Sequence, residues 1–174
     1  MLFVATGGTI DKLPVRLSDG SFNHASKKFG DTHLPAMLRD LDFFDEQFFD
    51  EHDILQLFMA DSLDMNGGHR SLLSVALAGS KHNQVIVTHG TDTMIQTAKS
   101  LSGQELLAEK AVVLTGAMEP YSMGEASDAL RNLRGAIRYA QILDPGVYIS
   151  MHGDIFDVDN VRKDYDERLF KSLR

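Results

Sequence analysis

Short apolar runs, rich in β-branched residues and each stopping abruptly in small polar ones, constrain this 174-residue chain more than any other feature. The clearest is Gln84-Val85-Ile86-Val87, followed by Thr88-His89-Gly90-Thr91-Asp92-Thr93. A strand without polar alternation has both faces covered, which is the habit of parallel sheets packed between helices. Leu2–Ala5 runs the same way into Thr6-Gly7-Gly8-Thr9. Ile54–Met59 runs into Ala60-Asp61-Ser62-Leu63-Asp64-Met65-Asn66-Gly67-Gly68, and Ala111–Leu114 into Thr115-Gly116-Ala117-Met118. Between these runs, apolar residues fall at helical spacing. Leu72, Val75, Ala76 and Ala78-Gly79 form one packed face, Met94, Ile95, Ala98 and Leu101 a second, and Ala129, Leu133, Ala136, Ile137 and Ala140 a third. Val147–Met151 reads as the last clear strand. Strands alternating with helices predict an α/β fold, a mostly parallel sheet sandwiched between helices, in a single domain over 1–174. Strand ends in such a sheet share one edge, where open α/β folds bind ligands. Thr9, Ser62–Asp64, Thr91–Asp92 and Ala117 are thereby expected on one edge, with the turns at Thr9 and Thr91 meeting in one site.

The remaining stretches say less. Residues 11–33 are polar with scattered apolar residues and read as a mobile loop or weak hairpin over the site. Leu34–Leu41, with Pro35 near its start, reads as a short helix, and the aromatic-acidic 42–53 as a two-faced surface segment. Asp128 and Glu125 read first as helix caps. The chain carries 17 basic and 25 acidic residues, a net charge of −8, without a basic cluster. That argues against nucleic acid and anionic membrane as partners. No apolar run approaches the roughly 20 residues of a membrane helix. The start is too short and uncharged for a secretory leader, which leaves the cytoplasm as the expected compartment. Cysteine is absent, removing disulfides and thiolates. The seven histidines show no metal-binding spacing, and the acidic tail from Asp154 to Glu167 lacks a calcium-loop pattern, so no metal is expected.

Without a thiol, the available nucleophiles are hydroxyls, which need activation. Thr91 and Asp92 are adjacent, but neighbouring side chains on an extended segment point apart, so a third group must join them. Lysine suits that role, and Lys163, shortly after the last clear strand, is placed to return to the same edge. The backbone N–H groups of the glycine turns, at Gly8 and Gly90, offer stabilisation of an oxyanion. Hydroxyl, carboxylate, lysine and amides together suit acyl transfer. His89 is expected to position its turn by a hydrogen bond. Read singly, Thr6-Gly7-Gly8-Thr9 is also compatible with a phosphate cradle, and Asp92 with a helix cap.

Thr6-Gly7-Gly8-Thr9-Ile10 and His89-Gly90-Thr91-Asp92-Thr93 resemble the two signature motifs of the bacterial-type L-asparaginase/glutaminase family. Asp61-Ser62-Leu63-Asp64-Met65-Asn66 resembles its substrate-binding segment, and Thr115-Gly116-Ala117-Met118 fits in kind and order. The resemblance spans essentially the whole chain but only the larger, amino-terminal domain of two-domain members, which implies a short form. It implies that Thr9 attacks the side-chain amide of L-asparagine, giving L-aspartate and ammonia through a threonine ester. Thr91, Asp92 and Lys163 match the set that activates nucleophile or water. Ser62 and Asp64, with Asp92, match positions holding the α-carboxylate and α-ammonium. The Ala117 carbonyl matches a contact to the leaving amide. The family uses no metal or organic cofactor and assembles as homodimers or larger homo-oligomers. Two positions depart from its pattern. No tyrosine precedes Tyr121, where members carry one on the loop after the first motif, and Leu63 stands where long forms carry glutamine. A catalytically weak or inactive asparagine/aspartate-binding protein of the same fold is the alternative, and a phosphate-binding α/β protein a third.

Overall fold

The computed structural model describes residues 1–20, 22–23, 27–42 and 52–174. Six strands form the main sheet: β1 (Leu2–Gly7), β4 (Asp53–Ala60), β5 (Gln84–Thr88), β6 (Ala111–Thr115), β7 (Gly146–Met151) and β8 (Asp154–Asp157). Their order is β4-β1-β5-β6-β7-β8, parallel throughout except that β8 runs antiparallel to β7. Two short antiparallel pairs lie outside it: β2 (Val15–Arg16) with β3 (Phe22–Asn23), and β9 (Arg162–Asp164) with β10 (Leu169–Lys171).

Period-two alternation divides the strand side chains between two cores. Leu2, Val4, Val85, Val87, Val112 and Leu114 face one side. There they meet Leu73 and Leu77 of α2 (Gly67–Ala78) and Met94, Ala98 and Leu101 of α3 (Met94–Leu101). Phe3, Ala5, Ile86 and Val113 face the other. There they meet Leu34, Met37 and Leu38 of α1 (Leu34–Asp40) and Leu133, Ala136 and Ile137 of α4 (Ala129–Ala140). Helices therefore cover both faces, as the unbroken apolar runs require.

β1 lies between β4 and β5, so the chain leaves β1 toward one side, returns across it and continues to the other. This is the switch point at which open α/β sheets form a crevice beyond the strand ends. The four polar turns anticipated at strand ends follow four adjacent parallel strands, β4, β1, β5 and β6, and thus lie on one edge.

Two readings of the sequence are corrected and one is extended. The packed face of α2 is Leu73 and Leu77, while Leu72 and Val75 are 48% and 68% exposed. Leu72 and Leu73 are both apolar, so spacing alone does not choose between the two faces; packing does. Val147–Met151 is followed by β8, β9 and β10, each of three or four residues and too short to show a period. Asp128 precedes α4 but makes no side-chain cap; its carboxylate serves the turn after β6. Within 11–33 the described residues include the short antiparallel pair β2–β3 and a Lys12–Phe29 bridge. Most of the aromatic-acidic 42–53 lies outside the described residues. No described helix is long and apolar enough to cross a membrane.

Candidate active site

The turns after β1 and β5 touch through their glycines. Gly8 has φ +83°, and a Cβ there would stand 2.2 Å from the Gly90 nitrogen and 2.3 Å from its Cα. A Cβ on Gly90 would stand 2.4 Å from the Ser62 Cβ, so the turn after β4 closes on the same point. Only residues without side chains permit three backbones to approach this closely. Thr9 and Thr91 flank the seam, one beyond each glycine.

Hydrogen bonds fix the seam. The Gly8 N–H donates to Ala60 O at 2.9 Å. Ser62 Oγ donates to Gly90 O at 2.9 Å and accepts the Thr93 N–H at 2.8 Å, and the Thr93 hydroxyl donates to Ser62 O at 2.7 Å. The Gly8 amide and Ser62 hydroxyl are therefore engaged within the protein. Among the described residues, the Gly90 and Thr91 N–H groups have no protein acceptor. His89 lies fully buried. Its Nδ1–H donates to Gly90 O at 2.7 Å, and its backbone N–H to Thr115 O at 2.8 Å. Burial holds its pKa down at about 4, so the ring is neutral and acts as a brace.

Lys163, on β9, reaches the turn after β5. Its ammonium donates to Thr91 Oγ1 at 2.8 Å and to Asp92 Oδ1 at 2.5 Å. The lysine side chain is 10% exposed and that of Asp92 36%, so the pair is half sheltered. Asp92 makes no helix cap; the residue before α3 is Thr93, and Asp92 is turned to the lysine. Since Lys163 donates to Thr91 Oγ1, the Thr91 proton points elsewhere and remains available to a ligand. Thr9 opens a short 3-10 turn, Thr9–Asp11, half-buried, and its hydroxyl has no partner among the described residues.

The other expected residues are placed unevenly. Ala117 is fully buried in the turn after β6. That turn is held from behind: Asp128 Oδ1 accepts the Met118 and Glu119 N–H groups, and Asn132 Nδ2 donates to Gly116 O at 2.9 Å and Asp128 Oδ2 at 2.8 Å. Asp64 sits at the periphery, 59% exposed, and pairs with Lys27 at 2.9 Å. Tyr121 donates its hydroxyl to Asp40, and burial with that carboxylate pushes its pKa up to about 12. It is thus committed away from the seam.

Sequence reasoning missed several contributors. Lys12 and Asp61 form a buried ion pair at 2.7 Å, tying the first turn to the third. Burial opposes the charge on Asp61, but Lys12 and the Leu63 N–H outweigh it and hold the carboxyl below its usual range. Asp11 is fully buried, accepts the His33 N–H at 2.7 Å, and is raised by burial. Lys12 and Asp11 sit directly after the first motif and Asp61 directly before Ser62; proximity to motifs was the available signal. Nothing in the sequence announced the brace built by Asp128 and Asn132, whose partners are backbone.

The family model described as "Asparaginase, N-terminal" matches residues 1–170. The L-asparaginase of Thermococcus kodakarensis is 40% identical over 73 residues, which are 42% of this chain and 22% of that protein. A component of the glutamyl-tRNA(Gln) amidotransferase of Methanococcus vannielii is 41% identical over 73 residues, 42% of this chain and 17% of that protein. The solved thermostable L-asparaginase from Thermococcus kodakarensis superposes with a TM-score of 0.72 and 26% identity, covering 99% of this chain and 50% of that one. The chain thus spans half the length of that solved relative.

Proposed function

From the premise that this chain belongs to the asparaginase family, by its amino-terminal domain, we propose that it hydrolyses the side-chain amide of L-asparagine to L-aspartate and ammonia. The observation that carries the reading is the seam. The free Thr9 hydroxyl and the bonded Thr91–Asp92–Lys163 set flank two glycines whose backbones are in contact.

In the first half-reaction, Thr9 Oγ1 bonds to the amide carbon and the C–N bond breaks. The hydroxyl proton leaves with ammonia. In the second, a water oxygen bonds to the acyl carbon, the ester C–O bond breaks, and a proton returns to Thr9. Thr91, held by Lys163, orients the water or the nucleophile. The free N–H groups of Gly90 and Thr91 face the developing oxyanion. Asp92 keeps Oδ2 for a substrate ammonium, Ser62 lines the pocket with its hydroxyl already bonded to Gly90 O and the Thr93 N–H, Asp64 stands further out beside Lys27, and Ala117 supplies its carbonyl to the leaving amide. Gly8 serves by close approach, since its N–H is already bonded. No step calls for a metal or organic cofactor, and the working unit is a homodimer or larger homo-oligomer in the cytoplasm.

A second reading is that the protein binds asparagine or aspartate with little or no turnover. It is favoured by one observation: the Thr9 hydroxyl has no bonded base among the described residues. One paired assay separates the two. Ammonia release from L-asparagine, lost in Thr9→Ala, supports hydrolysis. A rise in melting temperature with L-asparagine or L-aspartate but no ammonia supports binding. Equal ammonia release by wild type and Thr9→Ala overturns the nucleophile assignment.

A further inference from the structure

The ammonium of Lys163 has three donors, and two go to Thr91 Oγ1 and Asp92 Oδ1. Its remaining side is closed by an aromatic ring. Lys163 Nζ lies 4.9 Å from the centroid of Tyr165, inside the distance at which a cation is held by a ring face. Tyr165 is the first residue past β9, two positions beyond Lys163, and the contact itself puts their side chains on one side of the chain.

The chain has four tyrosines. Tyr121 donates to Asp40, Tyr139 to Gly153 O at 3.0 Å and Tyr148 to Asp144 O at 3.2 Å. Among the described residues, the Tyr165 hydroxyl alone of these four has no partner, and the residue is 65% exposed. No hydroxyl tether accounts for where this ring lies. The backbone beneath it is firmly placed, however. The β9–β10 pair joins Lys163 to Phe170, and Arg168, in the turn between the strands, donates to Met118 O at 3.2 Å and pairs with Glu119 at 2.8 Å. The hairpin therefore spans from the turn after β5 to the turn after β6 and presents the ring to the lysine.

We propose that Tyr165 is a positioning residue of this site: its ring face closes the third side of the Lys163 ammonium and keeps it on Thr91 and Asp92. The aromatic face, not the hydroxyl, does this. Without the ring, the ammonium turns one donor to water and spends part of its time off Thr91. The Thr91 proton then loses its fixed direction, while the Asp92 pair persists and leaves Oδ2 to the amino acid. The effect falls on kcat and leaves KM nearly unchanged. This inference rests on the hydrolase reading for its kinetic part only.

Tyr165→Phe and Tyr165→Leu, with two readouts, test it. The first is turnover of L-asparagine: Tyr165→Phe keeps wild-type kcat within two-fold, and Tyr165→Leu loses about two- to five-fold with KM within two-fold, in keeping with an exposed cation–ring contact. The second needs no activity. In protein carrying 13C-labelled lysine, the Lys163 ε-methylene resonance, assigned by its loss in Lys163→Arg, is displaced by the ring in wild type and Tyr165→Phe and relaxes in Tyr165→Leu. A resonance unmoved in Tyr165→Leu overturns the proposal, as does a Tyr165→Phe kcat as low as that of Tyr165→Leu. If wild type releases no ammonia, the hydrolase reading fails, while the resonance still decides whether the ring holds the lysine.

Discussion

The turns after β1 and β5 begin alike, each a buried strand ending in glycine and threonine, and finish in opposite states. Around Thr91 the side chains are committed: Thr91 and Asp92 to Lys163, Thr93 to Ser62, and His89 to Gly90. Around Thr9 the backbone is fixed, with Gly8 bonded to Ala60, but the hydroxyl is left open. One turn is a set instrument and the other a held but unspent group. The Thr91 hydroxyl is held by the Lys163 ammonium and so has a fixed direction, while the Thr9 hydroxyl is open to a ligand and has no bonded base among the described residues. On the proposed hydrolase reading, that difference casts Thr91 as the orienting group and Thr9 as the attacking one.

That contrast is broken most severely at Thr9. Thr9→Ala should lower ammonia release by a factor on the order of 10^3 or more while the amino acid still raises the melting temperature. If activity survives, the open hydroxyl is not the attacker and the roles are exchanged. Thr91→Val, nearly the same in shape, should cost roughly 10^2-fold in kcat with little change in KM, because it removes the orienting proton and leaves the substrate grip. Gly8→Ala tests the contact itself. Its φ of +83° and the backbone it would strike predict a loss on the order of 3 kcal/mol or more in chemical denaturation.

His89 sharpens the contrast through pH. Its folded pKa, about 4, lies below the ordinary 6.5, so between these values the unfolded chain takes up a proton that the native protein refuses. Stability is full above pH 6.5 and falls as pH drops toward 4, by an amount on the order of 3 kcal/mol. His89→Gln should flatten that acid limb in melts between pH 4 and 7. The smallest effect is expected at the rim. Lys27→Ala removes an exposed partner of Asp64 and should shift KM by only about two-fold, in line with the small worth of surface pairs.

How much of this was legible in the sequence follows from what kind of interaction made each part. Buried parallel strands announce themselves, because two covered faces leave an apolar run, and the turns that end them stand out by composition. The distance of Lys163 from the last clear strand predicts a return to the same edge, and its ammonium bonds to Thr91 Oγ1. What stayed hidden was made by pairing across space. Asp128 looked like a cap because caps are local, yet its carboxylate binds the backbone of Met118 and Glu119 nine and ten positions away. Lys12 and Asp61 find each other only once β1 and β4 lie side by side. Leu72 and Val75 misled because an apolar residue on a helix carries no mark of which face is covered.

The contact between Gly8 and Gly90 also sets a timetable. The two residues are far apart along the chain, and β1 is flanked by β4 and β5, both made much later in sequence. During synthesis the first strand emerges with neither neighbour available: β4 is complete only at Ala60 and β5 only at Thr88. Long-range parallel pairing of this kind is slow and leaves edges open to wrong partners. Pairing of β5 with β1 is thus also what brings Gly90 to Gly8 and closes the candidate site. A ligand bridging the two turns would report, and reward, the completion of folding itself.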